Sequence, residues 1–313
     1  MKSVIFKFIA CADLHIRKRK PQRRIDNFYL TQKRKMAWLF KIAREHQAYI
    51  LAAGDVFDTS TQPYIVLRDY ISLALKYKVR LIAIYGQHDL RYHSYSTRDN
   101  TPLAVLLAAM NFVDLGDGPH IIDNKVKIIG HSWEQDIEQT DPNMCNILIT
   151  HQMVTESGGL WPGHTDYVTG KDLLKSTGYE IIVSGDNHQS FVSEYKNARL
   201  FNTGSIVRLK RDQKDYKPRI AVVTVYDDYS IEYDWEYVPI KDPDIVFSNE
   251  NDTDDVEELA GIKDFVASLD DYENKKPDFV SNLNTAAAST KDKGVQFIID
   301  KVINRATMLN KLK

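Results

Sequence analysis

Two hydrophobic patterns alternate along the chain. In one, brief aliphatic runs are bounded by polar or glycine residues: residues 5–10, 49–53, 79–85, 147–150 and 181–184. Runs this short and continuous predict strands buried on both faces. In the other, apolar residues recur every three or four positions. Over residues 26–47, Phe28, Met36, Leu39, Phe40 and Ala43 mark an inward helix face, with Lys33, Arg34, Lys35, Lys41 and Arg44 turned to water. Asp26 is the expected cap. Further helices are predicted over residues 65–78 and over 101–110, where Pro102 sits in the first turn. Residues 113–118 and 120–130 give strand and turn signals. Residues 200–209, 220–225 and 230–238 read as strands that complete a second sheet. Strand–helix alternation of this kind predicts an α/β architecture.

The pattern changes near Pro239. Residues 241–260 hold eight acidic residues and one lysine, and read as an acidic linker. Helical spacing returns at Val256, Leu259, Ile262, Val266 and Leu269, and again from Phe297 to Leu312. The expected organisation is a core over 1–240, a linker over 241–260 and a helical segment over 261–313. Those amphipathic helices require a partner surface.

Composition narrows the class. The 313 residues are 43% hydrophobic, enough for a large core, and the net charge of -2 names no partner. Cys11 and Cys145 are too few for a disulfide framework, so a reducing, intracellular compartment is expected. Neither a cleavable leader nor a long charge-free apolar run is read, so no membrane association is expected.

The chemistry lies where the strand-like runs stop. The first leads to Asp13 and His15, and the second to Gly54-Asp55. The third leads to Gly86-Gln87-His88-Asp89, the fourth to His151, and the last to Gly185-Asp186-Asn187-His188. One Asp or His after a strand is an ordinary turn former. Five such ends, each with ligand chemistry, predict a metal cluster assembled at one sheet edge.

These residues resemble the calcineurin-like metallophosphoesterases, whose pattern runs D-x-H, G-D, G-N-H-D, H and G-H-x-H. Within that superfamily, Ala53-Gly54-Asp55-Val56-Phe57-Asp58-Thr59 is similar to the DNA-repair nuclease subunit of SbcCD-like complexes, including bacteriophage recombination endonuclease subunits. Asn202-Thr203-Gly204-Ser205 is similar to the superfamily's N-P-G-S. The implied fold is a two-sheet β-sandwich flanked by helices, with a small C-terminal appendage. The resemblance implies two divalent ions, Mn²⁺ or Mg²⁺, which clamp a phosphate and activate water at a separation of about 3.5–4 Å. It assigns Asp13, His15, Asp55 and His188 to one ion, and Asp55, Gln87, His151 and Asp186 to the other. His88 stabilises or protonates the leaving oxygen. Asp89 positions its loop, and a His88–Asp89 pair would favour the imidazolium.

Two positions depart from the family pattern, and both fall on the second ion. Gln87 stands for Asn, and Asp186 for His. Asp186 adds a hard, charged oxygen, shifting preference toward Mg²⁺ or Mn²⁺. The basic run 17–24, with six basic residues in eight, begins two residues after His15. Arg17, Lys18, Arg19 and Lys20 are therefore expected to meet a nucleic-acid backbone. The leading expectation is a DNA nuclease, acting as 3′–5′ exonuclease, endonuclease or both in repair or recombination. Its expected partners are DNA, an SbcC-like ATPase docked by the C-terminal helices, and a second copy of the chain. If phage-encoded, it would work in the host cytoplasm. A small-molecule phosphodiesterase, a protein phosphatase and a non-catalytic scaffold are the alternatives. Tyr92, His93, Tyr95 and Arg98 read as a surface loop, and His131, Trp133 and His164 as non-ligands.

Overall fold

The computed structural model describes residues 2–248, apart from Glu134, Pro162 and residues 210–212. The helices expected beyond residue 260 lie outside the described residues. In chain order the elements are β1 (Val4–Cys11), α1 (Phe28–Glu45), β2 (Tyr49–Ala52), α2 (Tyr64–Tyr77), β3 (Leu81–Ala83), α3 (Pro102–Met110) and β4 (Val113–Asp114). Then follow β5 (His120–Ile122), β6 (Val126–His131), β7 (Cys145–Thr150), β8 (Val154–Thr155), β9 (Val168–Thr169), α4 (Gly170–Thr177) and β10 (Ile181–Ser184). The last are β11 (Phe191–Tyr195), β12 (Ala198–Asn202), β13 (Arg219–Tyr226), β14 (Ile231–Tyr237) and the short α5 (Pro243–Val246).

Two six-stranded sheets carry the fold, in the orders β14-β13-β1-β2-β3-β4 and β11-β12-β10-β7-β6-β5. β1 to β4 pair in parallel, and so do β6, β7, β10 and β12. Strand side chains alternate between faces. Phe6, Phe8 and Ala10 of β1 therefore join Ile147, Ile149, Ile181 and Val183 in the core between the sheets. Ile9 and Cys11 point the other way, into a core with α1, α2 and α3. On the outer face of the second sheet, Leu173 and Leu174 of α4 cover Leu148, Ile182 and Leu200. Burial on both faces is why these strands read as unbroken apolar runs.

The structure corrects several expectations. β13 and β14 join the first sheet rather than the second, because β13 pairs antiparallel with β1. Of the stretch 200–209, residues 200–202 lie in β12, and Ser205 makes a single isolated bridge with Ala12. Asn27, not Asp26, caps α1 by accepting from Leu30 N–H at 3.1 Å. Asp26 is held instead by Arg24, through bonds of 2.8 and 2.9 Å. Lys35, expected in water, is only 6% exposed. The start of the acidic stretch packs on the core: α5 leads to Phe247, which is buried, and Ser248 N–H donates to Arg23 O at 3.0 Å.

Candidate metal centre

The parallel strands of both sheets deliver their carboxyl ends to one edge. Asp13 and His15 follow β1, Asp55 follows β2, and Gln87 and His88 follow β3. From the second sheet, His151 follows β7, and Asp186 and His188 follow β10. Asp13, His15, Asp55 and Asp186 adopt left-handed backbone, with φ of 50°, 43°, 48° and 75°. Non-glycine residues rarely do so. Such strain persists only where surrounding structure over-determines it, and it collects at functional sites.

The restraints are visible. Asp13 N–H donates to Gly54 O at 3.3 Å, and His15 N–H to Asp55 O at 3.0 Å. The Ser205 hydroxyl donates to Asp13 O at 2.9 Å. The Gln32 amide donates to the carbonyls of Leu14 and His15 at 3.2 and 2.8 Å. A β-carbon on Gly86 would collide with Asp55 Oδ1 and crowd His151 Nε2, so only glycine lets β3 approach this closely.

Ligand-type atoms converge in two groups, Asp13–His15–His188 and Asp13–Asp55–His151, each within 4.8 Å. Asp13 belongs to both groups, and Asp55 to the second. His15 Nε2 and His188 Nε2 face each other at 3.1 Å. His151 Nε2 lies 3.5 Å from Asp55 Oδ2. Asp186 joins through its N–H, 3.2 Å from Asp13 Oδ1, and through the Gln87 amide, which donates to its Oδ1 at 2.9 Å.

Asp13 Oδ2, His151 Nε2 and Gln87 Oε1 are buried without a hydrogen-bond partner. Three such atoms beside one another are costly unless an ion takes them. His151 Nδ1–H donates to Ala53 O at 2.6 Å, which fixes the ring and leaves Nε2 free for an ion. Burial pulls the His151 imidazole toward neutrality, but the Asp55 carboxylate overrides it and pushes the pKa up to about 10. Burial likewise works to raise Asp55, yet His151, His15 and His88 outweigh it and hold that carboxyl well below its usual range. The carboxylates thus retain a proton on His151 where a cation would do the same electrostatic work. The donor set of carboxylate, imidazole and amide fits divalent cations.

Around these ligands lies a supporting layer. Asp89 is fully buried and does not pair with His88. Its carboxylate accepts from the N–H groups of Val56, Phe57 and Gly86 at 3.2, 2.8 and 3.1 Å, tying the loop after β2 to the loop after β3. Burial, and then the Asp55 charge, raise its pKa to about 7. The partner of His88 is Asp58: His88 Nδ1–H donates to Asp58 O at 3.1 Å. Asp58 Oδ1 lies 3.5 Å from His15 Nδ1, and its Oδ2 accepts from Arg17 at 2.8 Å. Asp58 thus orients His15, His88 and Arg17 together, a role that sequence reading missed although the residue ends the Gly54–Asp58 motif. Asn202 is a second such residue; its amide donates to Asn187 O and Gln189 O at 2.6 and 2.5 Å.

The predicted basic loop divides. Arg17 is half-buried and spent on Asp58, whereas Lys18, Arg19 and Lys20 are exposed. Lys18 Nζ stands 3.8 Å above the Tyr29 ring. Together with Asp58, Thr59 and residues 61–63 they line an open groove of ≈590 Å³. Tyr92 and His93 both take left-handed backbone, and His93 lies 6.4 Å from the His88 ring. His164 stacks on the exposed Trp161 at 3.9 Å, in a loop rather than among the ligands.

This chain belongs to the calcineurin-like phosphoesterase family, whose model matches residues 6–190. Membership implies a metal-dependent hydrolase. Among described residues no helix is long and apolar enough to cross a membrane. The solved structures similar to it include TT1561 of Thermus thermophilus, 9% identical, covering 76% of this chain and 100% of that one with a TM-score of 0.45. Another crystal structure is 13% identical over 76% of this chain and 100% of its own, with a TM-score of 0.44. No curated protein matches the sequence.

Proposed function

We propose that this phosphoesterase is a DNA nuclease of the SbcD-like kind, hydrolysing phosphodiester bonds with Asp13, His15, Asp55, Gln87, His151, Asp186 and His188 holding two divalent ions. The observation that carries the reading is the basic groove and its link to the ligands. Lys18, Arg19 and Lys20 line a groove that Asp58, Thr59 and residues 61–63 also line. Asp58 in turn orients His15 and His88. A backbone phosphate held by these cations is carried toward the metal centre.

The ions supply Lewis acidity and an activated water when bound. The protein's own residues do the rest. His88 is exposed at the edge of the centre, with Nδ1–H committed to Asp58 O and Nε2 turned 4.0 Å from Asp55 Oδ2. That nitrogen is placed to steady the leaving oxygen and deliver a proton to it. Asp89 keeps the His88 loop at a fixed height against Val56 and Phe57. An SbcC-like ATPase and a second copy of the chain are the proposed protein partners, the ATPase docking through residues beyond 260.

The test is hydrolysis of linear duplex and single-stranded DNA with Mn²⁺, beside a small chromogenic phosphodiester. Cleavage of DNA with strong salt dependence supports the nuclease reading. Turnover of the small ester alone assigns a small-molecule phosphodiesterase, and turnover of neither assigns a scaffold.

A further inference from the structure

A second concentration of positive charge lies on the helix side of the first sheet, built from residues that the metal centre does not use. Arg24, Arg34, Lys35, Arg208 and Lys241 line a pocket of ≈160 Å³, together with Thr31 and Val246. No acidic residue is among its described lining residues. Arg24 and Arg208 are each 2% exposed and Lys35 is 6% exposed, while Arg34 and Lys241 stand exposed at the mouth.

Buried cations without matching anions are expensive, and most proteins pair them. Here the pairing falls short. Asp26 takes both of its oxygens to Arg24, at 2.8 and 2.9 Å, and also accepts from the Thr31 hydroxyl at 2.6 Å. Asp242 spends an oxygen on Asp244 N–H, at the start of α5. The remaining cations hydrogen-bond carbonyls, and Asp242, Asp215 and Asp26 act on Arg208 through charge alone, without a hydrogen bond to it. Arg24 also donates to Arg208 O at 2.7 Å, and Arg208 donates to Lys214 O and Lys241 O at 2.6 and 2.5 Å. Lys35 makes one hydrogen bond, to Ile206 O at 2.8 Å, although its ammonium has three donors. Burial first, then Arg24 and Arg208, pull its pKa down to about 7. These bonds fix three cations around one space, and the net charge left there is positive.

We propose that this pocket is an anion site, separate from the metal centre, that takes a phosphate group. Lys35 and the two arginines form a rigid cationic floor, and Arg34 and Lys241 close over the ligand from the mouth. The volume far exceeds the roughly 10–15 Å³ that one water needs. A doubly charged tetrahedral oxyanion, whose binding would hold Lys35 in its protonated form, matches this set of basic side chains better than a single carboxylate does. The same chemistry is offered by free phosphate and by the terminal phosphate of a nucleic-acid strand. The site does not depend on the nuclease reading.

The experiment uses the full chain, stripped of metal with chelator so that phosphate has no ions to bind at the centre. Inorganic phosphate is titrated at constant ionic strength, and thermal unfolding and calorimetry are followed. Saturable stabilisation is expected. Arg34→Ala combined with Lys241→Ala should weaken phosphate at least tenfold, as both residues are exposed and their loss spares the fold. Lys35→Met should weaken it similarly, whereas Lys171→Ala with Lys175→Ala, both exposed on α4, should leave it unchanged. A short oligonucleotide is compared with and without a 5′-phosphate. Preference for the phosphorylated strand, lost in the Arg34→Ala/Lys241→Ala protein, assigns the site to nucleic-acid ends, and equal binding assigns it to free phosphate. Absence of saturable phosphate binding, or an affinity unchanged in the Arg34→Ala/Lys241→Ala protein, overturns the proposal.

Discussion

At the scale of single residues, the side chains that converge at the sheet edge were legible because each group follows an apolar run that stops abruptly. Their supporting residues were not, because hydrogen bonding to a ligand leaves no periodic signature. Asp58 reads as a turn residue until His15, His88 and Arg17 are found around it. Lys35 was misread for a related reason: helical spacing put it on the wet side of α1, but a loop much later in the chain, at Ile206, covers it. Its lowered pKa fixes a sign. The unfolded chain keeps the Lys35 proton up to about 10.5, whereas the folded chain releases it near 7. The unfolded state therefore binds more protons between those values, and stability should rise with pH across that window. The charged groups acting on Lys35 are Arg24, Arg208 and Asp26. Denaturant midpoints followed across that window should climb more steeply in wild type than in Lys35→Met, and parallel curves would refute the assignment. At the centre, Asp55→Asn should lower activity by more than the roughly 10–100-fold typical of losing a supporting partner, because Asp55 touches His15, His88 and His151 at once. Asp186→Asn keeps the shape and drops the charge, so calorimetric metal titration should show weaker binding at one site. Two sites of unchanged affinity, with an unchanged rate, would remove Asp186 from the ligand set.

At the scale of elements, the parallel strands were legible and their partners were not. Continuous apolar runs announce burial on both faces, but the neighbour of a strand is chosen by hydrogen bonding across long separations. β13 shows this: it lies late in the chain yet pairs with β1, through registers such as Phe8 with Val223. The close packing of strand ends has a consequence at Gly86. Gly86→Ala forces the new methyl against the Asp55 carboxylate and the ring of His151. The expected result is a folded protein with sharply reduced metal affinity, read by circular dichroism beside calorimetry; normal metal binding would mean that the loop relaxes freely. The basic loop allows a cleaner variant than its sequence implied. Arg17 should be kept, since removing it frees Asp58. Neutralising Lys18, Arg19 and Lys20 should reduce the slope of log affinity against log salt by up to about 3 on duplex DNA, with hydrolysis of a small ester unaffected. An unchanged slope would leave the loop as solvated surface.

At the scale of the whole molecule, the described fold closes on itself before the acidic stretch is far advanced. Residues 246–248 pair with 23–25: Ile25 N–H donates to Val246 O at 2.9 Å, and Ser248 N–H to Arg23 O at 3.0 Å. The Phe247 ring lies between the guanidinium groups of Arg24 and Arg208, at 5.3 and 5.7 Å. This anchor, rather than the end of β14, is the physical boundary of the core. Two truncations follow from it. A chain ending after residue 250 keeps the anchor and should unfold cooperatively near the wild-type midpoint, with the metal centre intact. A chain ending after residue 240 loses Phe247 and the carbonyl of Lys241 that receives Arg208. Removing a buried aromatic side chain costs about 3–5 kcal/mol, and here two buried arginines also lose contacts. The shorter chain should therefore melt well below the longer one, although both end outside the strands. Thermal unfolding of the pair decides the matter: equal midpoints would show that residues 241–248 add nothing to the core, and the boundary would return to the end of β14.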